Sequence, residues 1–253
     1  MSLHSVKNQI LTSKNFIAKV FDTMEAKIYD KATKSLIDVI EITSTHSVTT
    51  WAKQQLSLLV NDKSGFVINE LRYRNTGGTW STISVSTSRN NNTLLVESGT
   101  ITSPATYDTW RCSNSGAGTN YHNEILSTIT VGTDQELVVT MKFVFTGLNN
   151  YGNYVLASLL GAVGDAYDAT INAISYRRNG TLNLTYDISK VSSGNTFKCS
   201  INPNFPLTNT GTYDAFGANA YNVGDYIFHE FSGATVELGT NQELLVREVF
   251  VFN

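Results

Sequence analysis

An internal repeat constrains this chain more than any other feature, because a repeated segment must form the same supersecondary unit twice. Residues 132–145 (GTDQELVVTMKFVF) and 239–252 (GTNQELLVREVFVF) are identical at nine of fourteen positions, at an offset of 107. Further matches extend backwards in the same order, at offsets that fall from 107 to 101: His122 with His229, Tyr107 with Tyr213, Asn92 with Asn195, Ile68 with Ile171, and Ser57 with Ser158. Such a collinear series indicates one unit of about a hundred residues carried twice.

The repeated segments have the pattern of β-strands. The retained apolar residues near the end of each copy occupy alternate positions, and we expect them to face a core. They are Leu137, Val139, Phe143 and Phe145 in the first copy, and Leu244, Val246, Phe250 and Phe252 in the second. Residues 182–188 show the same alternation, at Leu182, Leu184, Tyr186 and Ile188. Segments 75–78 (NTGG) and 178–180 (RNG) are tight-turn signals between strands.

These patterns predict a mainly β protein with two tandem, homologous, antiparallel β-sandwich domains of the immunoglobulin-like or jelly-roll-like kind. The predicted division is an N-terminal arm over residues 1–45, a first domain over 46–147 and a second over 148–253.

The N-terminal arm contains two predicted elements. Apolar residues recur at helical spacing and predict an amphipathic helix over residues 5–26. They are Val6, Ile10, Ile17, Val20, Phe21, Met24 and Ile28. This helix either packs on the first domain or serves as an arm for oligomerisation or docking. Residues 26–37 then predict a β-hairpin that turns near Asp30 to Lys34, followed by a strand over residues 37–43.

Composition limits the classes of partner. The net charge of −3 gives no electrostatic reason to expect nucleic acid or an anionic membrane as a partner. Charged residues make up only 15% of the chain, whereas Thr and Asn number 31 and 25, which is typical of extracellular or virion β proteins. Residues 1–10 lack the apolar core of a signal peptide, and the apolar run 154–163 is too short for membrane insertion. A virion protein made in the host cytoplasm reconciles these observations.

The candidate chemical groups are few. His122 and His229 are equivalent in the repeat, and each is either a ligand or pH-sensitive contact, or a strand-edge residue bonded to the backbone. His4 lies in the arm, and His46 is predicted to lie in a Ser/Thr-rich loop. No metal site and no cofactor are predicted, because no second His or Cys follows at ligand spacing and no phosphate-binding loop is present.

Other polar residues have simple structural interpretations. Glu136 and Glu243 begin strands without an acid/base partner, Asp108 and Asp214 cap turns, and 165–168 (DAYD) is an incomplete calcium motif. Cys112 and Cys199 fall at non-equivalent places in the repeat, so no repeated disulfide is expected. We therefore do not predict an enzyme.

The three tryptophans are candidates for binding. Trp51, Trp80 and Trp110 are suited to stacking on a sugar or to filling a core. The second copy has Leu182 in place of Trp80 and Phe216 in place of Trp110, and this interchange favours core packing.

The turn and strand at 132–145 and 239–252, with the run 123–129 (NEILSTI), resemble segments of tailed-bacteriophage virion proteins of the tail, baseplate or fibre-attachment type. The resemblance implies a structural spacer or adaptor that forms homo-oligomers and contacts other virion proteins. Two alternatives are an adhesion module of a fibre, which binds a host-surface glycan or receptor, and an exported hydrolase.

Overall fold

The structure, a computed structural model, describes residues 7–12, 16–116, 119–122, 124–164, 169–220 and 226–253. The arm and first copy form β1 (Lys7–Thr12), β2 (Phe16–Asp30), β3 (Leu36–Ser47), α1 (Thr50–Asp62), β4 (Glu70–Asn75), β5 (Trp80–Asn90), β6 (Thr93–Ser98), β7 (Ala105–Asn114), β8 (Thr119–Asn120), β9 (Ile125–Val131) and β10 (Gln135–Thr146). The second copy forms α2 (Asn150–Gly161), β11 (Ala173–Arg178), β12 (Thr181–Thr185), β13 (Ile188–Ser193), β14 (Thr196–Ile201), β15 (Gly211–Ala220), β16 (Tyr226–Leu238) and β17 (Gln242–Phe252). The protein is mainly β with antiparallel sheets, as predicted.

The order of elements repeats along the chain. The series α1, β4, β6, β7, β9 and β10 recurs as α2, β11, β14, β15, β16 and β17. In the first copy, β5 joins two layers, because residues 80–84 pair with β4 and residues 85–90 pair with β6. In the second copy the equivalent stretch is broken, so that β12 pairs with β11 and β13 pairs with β14. Each copy therefore has two groups of antiparallel strands, consistent with a β-sandwich.

This break corrects one sequence prediction. Residues 182–188 do not form a single strand with an inward apolar face, because β12 ends at Thr185 and β13 begins at Ile188. The side chains of Leu182 and Tyr186 are exposed. Local alternation describes which residues share a face, but it does not show whether another layer covers that face.

Residues 7–12 and 16–30 of the N-terminal arm form strands, so the predicted helix over residues 5–26 is wrong. β1 runs parallel to β17, and residues 16–18 of β2 continue along the same strand. Residues 19–30 of β2 then pair antiparallel with β10. Met24, Ala26 and Ile28 are buried at alternate positions, which is strand periodicity. Positions four apart share a face in a helix and also in a strand, and this explains the incorrect interpretation.

The predicted hairpin is confirmed. β2 and β3 pair antiparallel on either side of a turn in which Asp30 Oδ1 accepts hydrogen bonds from the backbone amides of Ala32 and Thr33, at 3.0 and 2.7 Å. The strand predicted over residues 37–43 lies within β3. His46 also lies in β3, so its predicted position in a loop is wrong.

The predicted core residues of the repeat are fully buried. All eight retained apolar side chains of β10 and β17 have an exposed fraction of 0%: Leu137, Val139, Phe143, Phe145, Leu244, Val246, Phe250 and Phe252. Retained polar residues make equivalent hydrogen bonds. The amides of Asn92 and Asn195 donate to the carbonyls of Phe145 and Phe252. The residues retained in the repeat therefore pack in the core or form hydrogen bonds at strand ends.

Two helices that the sequence analysis did not predict lie across the two copies. α1 packs against β13, β14 and β17 of the second copy, while α2 packs against β5, β6 and β10 of the first copy and against β16. The Ser57 hydroxyl on α1 donates a hydrogen bond to the backbone carbonyl of Thr196. The backbone carbonyl of Ser57 accepts a hydrogen bond from the Ser192 hydroxyl. Thr87 of β5 donates to the carbonyl of Gly161 in α2, at 2.7 Å. Each helix thus packs partly on the other copy, an arrangement that we call helix exchange, and the two copies form one interlocked unit.

The contact of α2 with β6 is close. A Cβ atom added to Gly161 would lie 2.2 Å from Leu94 Cδ1, and Leu94 is fully buried. A side chain at position 161 would therefore require the buried Leu94 side chain to move. Among the described residues, neither helix is long and apolar enough to cross a membrane.

Candidate functional site

The predicted histidine His122 lies inside the protein. Its side chain is buried, its Nε2 accepts a hydrogen bond from the Cys112 backbone amide at 2.8 Å, and its ring lies 5.9 Å from that of Phe143. Because Nε2 accepts, the proton of the neutral imidazole lies on Nδ1. That Nδ1 atom is 3.6 Å from Oδ2 of the buried Asp22. This arrangement fits the strand-edge interpretation, in which His122 bonds to the backbone.

Burial controls the acid–base chemistry around His122. It raises the pKa of the Asp22 carboxyl from 3.8 to about 7. Burial, followed by the charge of Asp22, raises the pKa of the Cys112 thiol well above its usual value. Cys199 is likewise a buried free thiol with a raised pKa. Protonated, inaccessible thiols are poor nucleophiles, so neither cysteine has the properties of a reactive one.

The equivalent of this cluster in the second copy differs in composition. The backbone of His229 lies in β16 and pairs with Ala218, which occupies the position equivalent to Cys112, whereas the His229 side chain lies outside the described residues. Glu248 on β17 is fully buried nearby. Burial raises the pKa of its carboxyl well above the usual range, and the backbone amide of Ala218 opposes that shift. A fully buried carboxyl group therefore lies against each copy, but Asp22 comes from the arm whereas Glu248 comes from β17.

Two of the three candidate tryptophans pack inside the protein. Trp110 is fully buried, and its Nε1 donates to the carbonyl of Ser127 at 2.9 Å. Trp51 is half-buried at the start of α1, with its ring 6.2 Å from that of Phe66 and 5.0 Å from that of Tyr121. These contacts are those of core side chains rather than of an open stacking platform.

Trp80 lies on the outer surface at the start of β5. The guanidinium carbon of Arg111 is 3.6 Å from its ring centroid, and that of Arg74 is 5.3 Å away. Arg111 also forms an ion pair with Glu124 at 3.1 Å. The ring is therefore already engaged by cations. Trp80 is half-buried and its counterpart Leu182 is exposed, and neither belongs to the hydrophobic core, contrary to the expectation that their interchange favours core packing.

The remaining acidic candidates have local partners. Glu136 forms an ion pair with Lys34 at 2.8 Å, and Asp108 accepts a hydrogen bond from the Thr109 hydroxyl at 2.7 Å. The proposed calcium motif at 165–168 lies outside the described residues. In the part of the chain that the structure describes, no group of three or more His, Cys, Asp or Glu side chains is arranged to hold a metal ion.

One exposed strand edge stands out. β3 pairs with β2 along one side, and no strand among the described residues pairs with its other side. The side chains of Leu36, Ile37 and Val39 on this strand are 52%, 51% and 40% exposed. This strand also carries the exposed Asp38 and Glu41, but a long strand with an open edge and exposed apolar side chains is a site for pairing with another strand. We call residues 36–42 the β3 edge.

A surface groove of about 590 Å³ lies where the β5–β6 turn meets the start of α2. The described residues that line it are Asn91, Asn92, Asn150, Tyr151 and Tyr154, none of which carries a charge. No sequence motif identifies this groove, because its two halves come from different copies of the repeat. The only local signal is the clustering of Asn in 90–92 (NNN) and Asn and Tyr in 149–154 (NNYGNY).

Comparison with protein-family models, with curated proteins and with solved structures finds no match to this chain.

Proposed function

We propose that this protein is a structural virion component, a spacer or adaptor of a tail, baseplate or fibre, that assembles with copies of itself through the β3 edge. The observation that carries the proposal is the exposed apolar character of Leu36, Ile37 and Val39 on an open strand. An isolated edge of this kind is a liability in a monomer, whereas a strand from a neighbour would satisfy its backbone groups and cover its side chains.

The arrangement of the sheet supports a mechanical role. One sheet of thirteen strands runs through both copies, because β2 connects β10 of the first copy with β17 of the second. The exchanged helices add a second set of contacts between the copies. A unit connected in two ways resists bending between its halves, which is a useful property for a spacer.

The choice of a second copy as the partner rests on contacts already present within the chain. The two copies are held together by strand pairing along β10 and β17, with the arm as the shared strand. The β3 edge belongs to the same sheet and lies one strand beyond β2. Pairing of this edge with a sister subunit would extend between chains a contact that already operates within one chain.

We expect the wild-type protein to be an oligomer in solution, and the double variant Ile37→Lys/Val39→Lys to be a monomer. Two lysines on the edge would introduce buried, unpaired charges into a strand–strand contact. The measurement is native mass by light scattering across a dilution series. Leu126→Lys is the matched control, because Leu126 is 72% exposed on β9 and lies away from the β3 edge; it should leave the oligomer intact. A monomeric wild type, or an oligomer that survives the double variant, would contradict the proposed edge.

The virion assignment has its own test. Mass spectrometry of purified particles from the source culture should detect the chain at a fixed ratio to the other structural proteins. Its presence only in the lysate, with the particles lacking it, would overturn the assignment even if the protein forms oligomers.

A further inference from the structure

The groove between the β5–β6 turn and α2 has a chemistry that differs from that of the β3 edge. Among the residues that the structure describes, its lining side chains are three amides and two phenols, with no carboxylate, ammonium or guanidinium group. An amide presents two donors and an acceptor, and a phenol presents one donor and an acceptor. Such a surface matches a ligand that carries adjacent hydroxyl groups, each of which both donates and accepts.

The same lining disfavours other classes of ligand. Anions are usually bound by Arg, Lys or a set of backbone amides, and calcium by several carboxylates. The volume of about 590 Å³ lies within the range of small-molecule sites and has room for one or two sugar rings. The aromatic side chains supply flat, apolar surfaces against which the C–H face of a sugar ring can lie.

Part of the groove is held rigid from behind. The guanidinium of Arg89 lies 3.3 Å from the ring centroid of Tyr154 and donates hydrogen bonds to the Tyr154 hydroxyl and to Ser158. The amide nitrogen of Asn92 donates to the carbonyl of Phe145, at 2.8 Å. These two lining residues are therefore fixed before a ligand arrives, which lowers the entropic cost of binding.

The other lining residues face solvent. Asn91 and Asn150 are exposed, and the side chain of Tyr151 is 58% exposed. An exposed tyrosine beside two exposed amides offers both a stacking surface and hydrogen-bonding groups.

We propose that this groove is a binding site for a neutral saccharide, which stacks on Tyr151 and forms hydrogen bonds with the amides of Asn91 and Asn150. The site is composite, because Asn91 comes from the first copy and the other two residues come from α2. It therefore depends on the helix exchange. The inference does not rest on assembly through the β3 edge, since the groove is present in a single chain.

The second copy of the repeat supplies a substitution that separates binding from folding. Asn91 has a left-handed backbone, with φ of 51°, and the equivalent Gly194 has φ of 57°. Asn91→Gly therefore removes the amide while keeping a residue that adopts this conformation without strain. Trp80→Leu is the matched control, because Leu is the residue at the equivalent position 182 and Trp80 lies outside the groove.

The experiment is saturation-transfer NMR on the full chain with the methyl glycosides of glucose, galactose, mannose and N-acetylglucosamine, and with sialyllactose as an acidic probe. We expect transfer to at least one neutral glycoside. Asn91→Gly should weaken that binding about tenfold, as for one lost hydrogen bond, and Tyr151→Ala should weaken it further. Thermal melting should show that each variant remains folded.

Each outcome decides the question. Loss of transfer in Asn91→Gly and Tyr151→Ala, with transfer retained in Trp80→Leu, would support the groove. Transfer to none of the neutral glycosides, transfer to sialyllactose alone, or loss of transfer only in Trp80→Leu would each overturn the proposal.

Discussion

Phe143→Ala and Phe250→Ala are each expected to lower the free energy of unfolding by about 3–5 kcal/mol, because each truncation leaves a cavity in a packed core. Both side chains are fully buried. Phe143 packs beside His122, while Phe250 stacks on Phe197 with ring centroids 5.9 Å apart. Urea denaturation, followed by circular dichroism, measures the loss. Similar losses in the two variants are expected because the residues occupy equivalent positions of the repeat.

The neighbouring positions provide the control. Val144 and Val251 follow the two phenylalanines on β10 and β17 and are only partly buried. Val144→Ala and Val251→Ala should therefore lower the free energy of unfolding by less, about 1 kcal/mol or below. A large loss for Phe143→Ala with a negligible loss for Phe250→Ala would show that the two strands do not have equivalent roles in the core.

Asp22→Asn is expected to change how stability depends on pH. The Asp22 carboxyl has a pKa of about 7 in the folded protein, against 3.8 when it is unperturbed. The folded state therefore binds a proton that the unfolded state has released, and this contribution to stability is fully present below pH 3.8. This contribution is lost as pH rises through about 7. The free energy of unfolding then falls by at most ~4 kcal/mol, the amount that corresponds to the difference between the two pKa values. Asn cannot ionise, so the free energy of unfolding of the variant should not show this decrease as pH rises.

The measurement is the free energy of unfolding of both proteins from pH about 4 to about 8. The free energy of unfolding of the variant should increase relative to that of the wild type as pH rises. His122 and Cys112 lie beside residue 22 and are present in both proteins, so they are common to both curves. Asp108→Asn is the control, because the Thr109 hydroxyl lowers the pKa of Asp108 and its contribution is lost only towards acid pH. Parallel curves for Asp22→Asn and wild type would show that Asp22 does not stay protonated inside the folded protein.

Local sequence information was sufficient for the strands of the repeat. Alternation identified the buried face of β10 and β17, because successive residues of a strand point to opposite sides whatever its partners are. Asx and Gly residues identified the turns after β4 and β11, since few residues adopt positive φ without strain. The same reasoning found His122 as a repeated residue with a structural contact to the backbone.

The helices were harder to detect from the sequence. Thr49 and Asn149 cap α1 and α2 by accepting hydrogen bonds from Ala52 and Gly152. These signals are present in the chain, but they are weak among so many Thr and Asn residues. Capping residues also favour turns, so their presence alone does not distinguish a helix start from a loop.

By itself, the sequence determined that one β unit occurs twice, which side chains of β10 and β17 share a face and where the main turns lie, because these properties depend on residues close together in the chain. Only the tertiary structure decided that the arm is a strand, that the helices cross between copies, and that Asn91 and Tyr151 share one groove. The physical reason is that the arm forms backbone hydrogen bonds with β10 and β17, and α1 packs on β13 and β14, all of which lie more than a hundred residues away in the chain. α2 likewise packs on β5 and β6, which belong to the other copy. No local pattern specifies which distant strand or helix will supply those contacts.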